Sequence, residues 1–518
     1  MISFLQRVDR FAHKNWVFAP LLLLLFILRL PNFFEPYWYG DEGIYLTIGN
    51  ALRNGERLYQ DIIDHKTPVI YYLAMVSSQL AFRILLFVCM AITTVLFYSF
   101  ARRLFQNRIA ASISALFLLL STTLPTFEGN IPNGELFVVF FVITGAWILS
   151  HTWFFRQFFH EQSRSAGTQR ICLFISGVFL SIGILTKVPA LFDAAAFVGL
   201  VWFTLIIEVH RPVFPPFPFL FRHRVVLRSA AYICVGIVLP IVFSLLYYVL
   251  RGSGKAYIDY GLLYNFRYAN SWHIHFPSAL AEFLFSFKGK LLLLAAWQIL
   301  LSIFYKRFSR QFIFISSWFG LDFFAALLSN RPYSHYFLQI FPPLALLFGY
   351  MWLRLHEKKL RFSEILMSTV GVTSLITVMI ILRVGVYPTL SYYTRFLQFS
   401  TGQITAETYR NSFDSFMRDN YRAAQSISGN TGTTLFIWGT DPVLYAQTHT
   451  APPGRFTVLF HIKDFHAENE TVSAVLAAHP SFIVVIKGEA LPQELQAYLV
   501  LHYISNATFE HFTLWKRW

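Results

Sequence analysis

Acidic and basic side chains that could act on a phosphate and a hydroxyl occur in short segments between long apolar runs. These residues are Asp41, Glu42, Lys66, Glu135, Lys187, Arg267, Arg331 and His335. A departing phosphate needs cations, and arginine can hold it with two parallel hydrogen bonds. A hydroxyl that attacks needs a base within hydrogen-bond reach, and Asp41 is our candidate. Together these types predict a site where an anionic lipid headgroup meets a polar acceptor.

Several of these residues also have a purely structural explanation. Acids such as Asp41 are favoured in the first turn of a helix, and Lys66 could reach lipid head groups. Glu135 could cap a helix, and His335 could be an ordinary histidine at the membrane interface. Lys187 stands between two apolar runs with almost no loop, where a charge is costly and needs a partner or a function.

The composition indicates the elements that must carry these residues. Of the 518 residues, 56% are hydrophobic and only 13% are charged, whereas soluble domains carry about 25% charged residues. The chain therefore lacks the polar residues to cover several soluble domains, and it does not have the composition of a disordered protein. We predict a polytopic α-helical membrane protein with a small C-terminal α/β extracytoplasmic domain.

Apolar runs of spanning length predict about eleven transmembrane helices. They lie near residues 16–31, 83–101, 109–125, 136–155, 171–187, 189–207, 229–250, 290–305, 311–328, 336–353 and 365–386. The run Pro68–Leu80 is too short to span, so we predict a re-entrant or interfacial helix there.

The distribution of charge gives the predicted topology. With the N-terminus in the cytoplasm, the segments on that side carry 20 of the 42 Lys and Arg and 5 of the 27 Asp and Glu. The excess of basic over acidic residues on that side equals the whole net charge of +15. Basic residues concentrated in cytoplasmic segments are what the positive-inside rule describes. It argues against a nucleic-acid partner and for a multi-pass protein of the inner (plasma) membrane.

Two domains are predicted on this topology. Residues 1–386 form a transmembrane catalytic domain with long outer loops at 32–67 and 251–289. Residues 387–518 form an extracytoplasmic α/β domain, with strands at Thr434–Trp438 and Phe482–Ile486 and helices at Val472–His479 and Pro492–Leu499.

At its charged segments the chain resembles the GT-C superfamily of integral-membrane glycosyltransferases. The nearest branches are protein O-mannosyltransferase-like enzymes, lipid A aminoarabinose transferases and core galacturonosyl transferases. The motifs that carry the resemblance are Gly40-Asp-Glu42, His65-Lys-Thr-Pro68, Gly134-Glu135, Leu185-Thr-Lys187 and His335-Tyr-Phe-Leu-Gln-Ile-Phe-Pro-Pro343. Two positions differ from the usual pattern: Thr67 replaces a frequent proline, and His65 replaces the glutamate frequent in the aminoarabinose branch, which weakens the case for that donor.

The resemblance implies transfer of a sugar from a polyprenyl-phosphate donor to a hydroxyl of a lipid, glycan or protein on the outer face, with inversion at the anomeric carbon. It implies that Asp41 is the base, that Lys66 and Lys187 hold the carrier phosphate, and that Glu135 helps to bind acceptor or sugar. Arg267 and Arg331 are further phosphate candidates, and Glu42 and His335 are further substrate-binding candidates.

No cofactor is expected, because the lipid-linked sugar donor is itself a substrate. No nucleotide-binding glycine loop is visible, which fits a lipid-linked donor. No metal is expected either, because the paired acidic motifs of the oligosaccharyltransferase branch are missing. The alternative functions are a transporter or flippase of lipid-linked sugars, for which repeated halves would be typical, and a non-catalytic scaffold.

Overall fold

The computed structural model describes residues 17–160, 169–210, 219–272, 274, 278–428 and 432–518. Up to residue 386 the described chain is helical. Its α-helices are α1 (Phe18–Arg29), α2 (Gly40–Arg53), α3 (Val69–Leu73), α4 (Gln79–Phe105), α5 (Arg108–Ser121), α6 (Gly134–Leu149), α7 (Trp153–His160), α8 (Gln169–Thr186), α9 (Ala190–His210), α10 (Phe219–Leu250), α11 (Tyr264–Asn270), α12 (Ala279–Phe285), α13 (Phe287–Ile303), α14 (Arg310–Ala326), α15 (Phe341–His356) and α16 (Phe362–Ile381). A single helical turn (Gly254–Ala256) and a π-helix (Tyr257–Leu263) lead into α11, and short 3₁₀ segments lie at Pro31–Phe34, Pro125–Phe127, Tyr305–Arg307 and Ser334–Ile340.

Apolar helices occur at the predicted spans, but their lengths differ from the prediction. Among the described residues, six helices are long and apolar enough to cross a membrane, or up to eight if two bent pairs each count as one span. The bent pairs are α6 with α7, at 79°, and α12 with α13, at 71°. The helices near the first and third predicted spans are shorter. The membrane character is therefore confirmed, and the number eleven stays a prediction.

The segment Pro68–Leu80, predicted to be a re-entrant or interfacial helix, contains little helix of its own. Helix α3 is five residues long, and the chain turns after it before α4 begins at Gln79. The side chain of Ser78 accepts a hydrogen bond from the Ala81 backbone N–H, which satisfies one of the free donors at the start of α4. The cap at Ser78 fixes the start of the spanning helix α4, so α3 and α4 are separate helices.

Helices α8 and α10 pack closely because each offers a glycine. A Cβ on Gly177 would lie 2.2 Å from the Ile233 carbonyl oxygen, and one on Gly236 would lie 2.2 Å from the Phe174 carbonyl oxygen. Small residues at such crossings let helix backbones approach each other in membranes.

Beyond residue 386 the described chain forms short helices and a four-stranded sheet. The elements are α17 (Thr389–Ser400), α18 (Ala406–Asn411), α19 (Met417–Ser428), β1 (Leu435–Trp438), α20 (Pro442–Thr448), α21 (Leu459–Asp464), α22 (Glu468–Ala478), β2 (Phe482–Ile486), α23 (Gln493–His502), β3 (Tyr503–Thr508) and β4 (Phe512–Arg517). The strand order is β1-β2-β4-β3, with β1 and β2 parallel and the other pairs antiparallel. Strands β1 and β2 are the two predicted strands, whereas β3 and β4 were not predicted. Most side chains of β3 are exposed, and only two of the six in β4 are buried.

The first predicted loop packs directly on this C-terminal region. A Cβ on Gly43 of α2 would lie 3.0 Å from the backbone nitrogen of Val443 in α20. Further along the loop, Ile63 pairs with Phe456 in an isolated parallel bridge. The loop thus contacts the C-terminal region at α2 and again near its end, and these contacts lie on either side of the sequence between Gly43 and Ile63.

Candidate active site

A cavity of about 630 Å³ lies where the first loop, the helix ends and the C-terminal region meet. Its walls combine charged, aromatic and apolar side chains. They are Tyr39, Gly40, Asp41, His65, Lys66, Glu135, Lys187, Val188, Pro189, Asn265, Tyr268, Ala269, Ser271, Ala325, Ala326, Leu328, Ser329, Arg331, Tyr333, His335, Tyr336, Gln339, Phe460 and Asp464. The volume is in the range of about 300–1,000 Å³ that small-molecule sites occupy.

One ion pair in the cavity joins the start of α2 to the end of the first loop. Asp41 lies in the first turn of α2, and its Oδ2 is 3.5 Å from the Nζ of Lys66. The Tyr45 hydroxyl donates to the same oxygen at 3.2 Å, and its ring lies 5.0 Å from the Lys66 Nζ. Burial raises the pKa of Asp41, but nearby cations, Lys66 foremost, lower it further, so it lies below the ordinary value. Asp41 is therefore ionised at neutral pH and able to accept a proton.

A second acid–cation pair lies in the same cavity. Lys187 occupies the break between α8 and α9, and its Nζ donates to Oε1 of Glu135, in the first turn of α6. The Lys187 ammonium also lies 4.6 Å from the centre of the Tyr336 ring, within the range of cation–π contacts. The partner that the sequence analysis required for Lys187 is therefore Glu135.

Arg331 is held against the cavity by aromatic rings. Its guanidinium lies 4.1 Å from the ring centre of Tyr268 and 5.3 Å from that of Trp272, and its Nη2 donates to Ser271 Oγ at 2.8 Å. Stacking fixes the plane of the guanidinium and leaves donors available for a phosphate.

His335 lies beside Glu128 and Tyr39. Its Nδ1 and the Tyr39 hydroxyl both approach Glu128 Oε2, and they are 3.1 Å from each other. Burial raises the pKa of Glu128, but the neighbouring His335 lowers it further, so the carboxylate is ionised. This arrangement fixes the histidine ring at the cavity wall.

Two residues predicted to bind substrate, Glu42 and Arg267, are not among those that line the cavity. Glu42 lies outside the cavity walls, with Arg83 donating to its two oxygens at 2.9 and 2.7 Å and Gln79 donating at 2.9 Å. Successive helix residues point in directions about 100° apart, so Glu42 is buried behind α2 while Asp41 is in the cavity. For the same reason Arg267 is exposed, although Tyr268 of the same helix lines the cavity.

Other residues of the site were missed by the sequence analysis. Tyr268 and Tyr336 contact the cations, and their hydroxyls are 3.2 Å apart. Phe460 and Asp464 reach the cavity from α21 in the C-terminal region. The two tyrosines lie in basic and aromatic segments whose rings a membrane aromatic belt explains from the sequence alone, and no local signal marks α21 as part of the site.

One group of described residues could hold a metal ion. Asp64, His65 and His461 each offer a ligand atom, these atoms lie within 4.8 Å of one another, and all three residues are buried. No metal was predicted, because the paired acidic motifs of the oligosaccharyltransferase branch are missing. The present set consists instead of one acid and two histidines, and one of these histidines, His461, belongs to the C-terminal region.

No protein-family model matches the chain, and no curated protein sequence matches it. The structure is similar to the crystal structure of ArnT from Cupriavidus metallidurans bound to undecaprenyl phosphate. The TM-score is 0.55 with 14% identity, over 97% of this chain and 98% of that chain. The chain has the GT-C fold. The similarity runs through the C-terminal region as well, since it covers nearly the full length of both proteins.

A second similar structure is the archaeal oligosaccharyltransferase AglB from Archaeoglobus fulgidus, in complex with an inhibitory peptide and a dolichol-phosphate. Its TM-score is 0.47 with 14% identity, over 92% of this chain and 70% of that chain.

Proposed function

We propose that the chain is a membrane glycosyltransferase that moves a sugar from a polyprenyl-phosphate donor to an acceptor hydroxyl. The observation that carries the proposal is the pairing of an ionised Asp41 with Lys66 in a cavity that also holds Lys187 and Arg331. A base for a hydroxyl and cations for a phosphate are thus present together. The GT-C fold, shared with an ArnT structure bound to undecaprenyl phosphate, supports a lipid-linked donor.

The reaction is a single displacement at the anomeric carbon of the sugar. The acceptor oxygen forms a bond to that carbon, the bond from the carbon to the phosphate oxygen breaks, and the hydroxyl proton moves to Asp41. The leaving group is the polyprenyl phosphate, which departs with the electron pair of the broken bond. One displacement inverts the configuration at the anomeric carbon.

The cavity residues divide between the two halves of this reaction. Lys66, Lys187 and Arg331 stabilise the charge that grows on the leaving phosphate. Glu135 orients Lys187, and its Oε2 accepts no hydrogen bond from the described residues, so it can bind a sugar or acceptor hydroxyl. His335, fixed by Glu128, is a further hydrogen-bonding group for the sugar or the phosphate. Because three cations serve the phosphate, the transfer itself is proposed to need no metal or cofactor.

The proposed location is the inner membrane, with the N-terminus in the cytoplasm. The basic segments predicted to be cytoplasmic support this orientation. It places the cavity and the domain formed by residues 387–518 on the outer side, where a lipid-linked sugar and a lipid, glycan or protein acceptor would meet.

The test compares Asp41→Asn with Asp61→Asn, an acid of the same loop that pairs with Arg57 away from the cavity. Mass spectrometry of envelope lipids, glycans and glycoproteins, with and without the gene, first identifies the product. Turnover by the purified protein in liposomes should then fall about 10²- to 10⁴-fold in Asp41→Asn and remain unchanged in Asp61→Asn. Near-normal turnover in folded Asp41→Asn would refute the role of the base, and translocation without bond formation would favour a transporter.

A further inference from the structure

The cavity wall contains a glutamine whose amino group is fully engaged while its amide oxygen is not. Gln339 lines the cavity and lies in the 3₁₀ segment Ser334–Ile340. Its Nε2 donates to the Pro189 carbonyl at 3.0 Å and to Asp193 Oδ2 at 2.6 Å. We propose that its Oε1 accepts a hydrogen bond from a hydroxyl group of the donor sugar and so helps to select that sugar, a role that rests on the proposed glycosyl transfer.

The two partners of Gln339 fix which end of its amide faces the cavity. One end of an amide donates hydrogen bonds and the other end accepts them. The Pro189 carbonyl and the Asp193 carboxylate both accept, so the amino end must face them, and the reverse orientation would bring three acceptors together. Among the described residues nothing donates to Oε1, and this oxygen is not one of the buried polar atoms that lack a partner. The oxygen is therefore accessible to a ligand in the cavity.

Two buried acids lie behind this amide. Asp193 is in the first turn of α9 and Asp322 is in α14, and both are buried. The ring N–H of Trp318 donates to Asp193 Oδ1 at 2.8 Å, and Gln339 donates to the other oxygen of the same carboxylate. The carboxyl group of Asp322 faces Asp193, and neither of its oxygens accepts a hydrogen bond from the described residues.

One proton shared between the two acids explains their contact. Two buried carboxylates side by side repel each other unless a cation lies near them, and neither acid forms an ion pair in the part of the chain that the structure describes. A protonated Asp322 instead donates to Asp193, which leaves one negative charge on the pair. A charged acceptor makes a stronger hydrogen bond with the amino group of Gln339. The two acids therefore position Gln339 without touching a ligand.

The neighbours of Gln339 indicate that its ligand is the donor sugar. Side chains three residues apart in a 3₁₀ helix lie over one another, so Gln339 is next to Tyr336, whose ring centre is 4.6 Å from the Lys187 ammonium. Lys187 is proposed to bind the carrier phosphate, and the donor sugar is attached to that phosphate. An acceptor hydroxyl must instead reach Asp41, which pairs with Lys66.

The surroundings of Gln339 give its single acceptor a large effect on selection. The cavity residues next to it in the break between α8 and α9, and those in α14, are apolar: Val188, Pro189, Ala325 and Ala326. A site with few polar groups disfavours a ligand that leaves one of them unpaired. A sugar with a hydroxyl at this place pairs Oε1, whereas a sugar without it covers this oxygen and supplies no donor.

The experiment measures how much of the affinity for the donor comes from its sugar. The full-length protein in detergent is titrated by calorimetry with undecaprenyl-phosphate glucose, galactose, mannose and arabinose. The reference ligand is undecaprenyl methyl phosphate, a diester with the same charge and lipid but no sugar. The variant is Gln339→Met, which keeps the side-chain length and removes the amide. The control is Gln298→Met, because Gln298 of α13 lies outside the cavity walls and its amide is also hydrogen-bonded at both ends.

The expected result is a loss that depends on the sugar. The wild type and Gln298→Met should bind at least one sugar-linked carrier about fivefold or more tightly than the methyl diester. Gln339→Met should lose about fivefold or more in affinity for that carrier and no more than about twofold for the methyl diester. Equal losses for both lipids would overturn the proposal, because Gln339 would then support the cavity as a whole. A wild type that binds no sugar-linked carrier more tightly than the methyl diester would overturn it without any variant.

The positioning role of the acid pair is tested with the same two ligands. Asp322→Leu removes the shared proton, so the affinity for the sugar-linked carrier should fall about threefold or more. Asp322→Asn supplies an N–H that donates to Asp193, so it should restore the affinity. An unchanged affinity in Asp322→Leu would overturn the positioning role.

These binding measurements also separate the two proposals. The expected affinities in a protein that forms no glycosidic bond would refute the proposed function and leave the role of Gln339 standing. Sugar transfer by a protein in which Gln339→Met binds both lipids like the wild type would refute only the role of Gln339.

Discussion

Two acids that follow each other in the sequence belong to two different regions of the molecule. Glu42 is in a buried cluster, where Arg83 and Gln79 occupy both of its oxygens. Asp41 is in the cavity, where it has one hydrogen bond from Tyr45 and a longer ion pair with Lys66. In the cluster, neighbouring side chains already donate to both oxygens of Glu42. In the cavity, Asp41 has fewer partners and can still accept a hydrogen bond from a ligand.

The difference shows how to separate structural charges from functional ones in this fold. Arg83 also donates to the Asn32 carbonyl at 2.7 Å and lies 3.6 Å from the Glu35 carboxylate. The cluster thus ties the first loop to the start of α4. Because Glu42 belongs to α2, the cluster also holds α2 in place, and α2 carries Asp41 in the cavity.

Loss of Arg83 should have the largest effect, because it removes the centre of the buried cluster. Arg83→Met leaves Glu42 and Glu35 buried without their cation, so the free energy of unfolding should fall by about 3–5 kcal/mol. Denaturant titration in detergent measures the change, with Arg103→Met, an exposed arginine of the same helix, as control. Equal stability of the two variants would contradict a structural role for the cluster.

Loss of the Lys66 charge should instead act on turnover. Lys66→Met removes a cation from the leaving phosphate, and kcat should fall about 10²- to 10³-fold. Lys66→Arg keeps the charge and should lose much less. Both are measured on protein that elutes as folded in size-exclusion chromatography, and equal losses would show that packing, rather than charge, is what Lys66 supplies.

The two arginines predicted to bind phosphate should now differ. Arg331→Gln removes charged hydrogen bonds to the donor, each worth about 1.5–3 kcal/mol, so KM for the lipid donor should rise at least about tenfold. Arg267→Gln changes an exposed residue outside the cavity and should alter KM by no more than about twofold. A larger effect at Arg267 would place the donor along a different face of α11.

The smallest expected effect is a change in pH dependence. The pKa of Asp41 lies below its ordinary value. As the pH is lowered, kcat/KM should therefore begin to fall only at pH values below the usual pKa range of an aspartate. In Lys66→Met the main charge that opposes burial is gone, so the pKa of Asp41 rises and the acid limb moves to higher pH. In Lys66→Arg the acid limb of the pH profile should stay where it is in the wild type. If the wild type, Lys66→Met and Lys66→Arg all gave the same profile, the titration of a group other than Asp41 would limit the rate.

Much of the candidate site could be predicted from local sequence. Asp41, Lys66, Glu135 and Lys187 all line the cavity, because they lie at helix starts and breaks where charged residues in an apolar chain must have partners. Glu42 and Arg267 could not be separated from them. Charge and position along the chain do not say which face of a helix a residue occupies once neighbouring helices pack around it.

The sequence by itself determined the membrane character, the places of the apolar helices and the two buried strands, because hydrophobic pattern acts locally. Only the tertiary structure decided which charges meet. Asp64 and His461 are almost four hundred positions apart, and their contact depends on how α21 packs against the first loop. Such contacts depend on distances in the folded protein, and these distances cannot be read from the spacing of residues in the sequence.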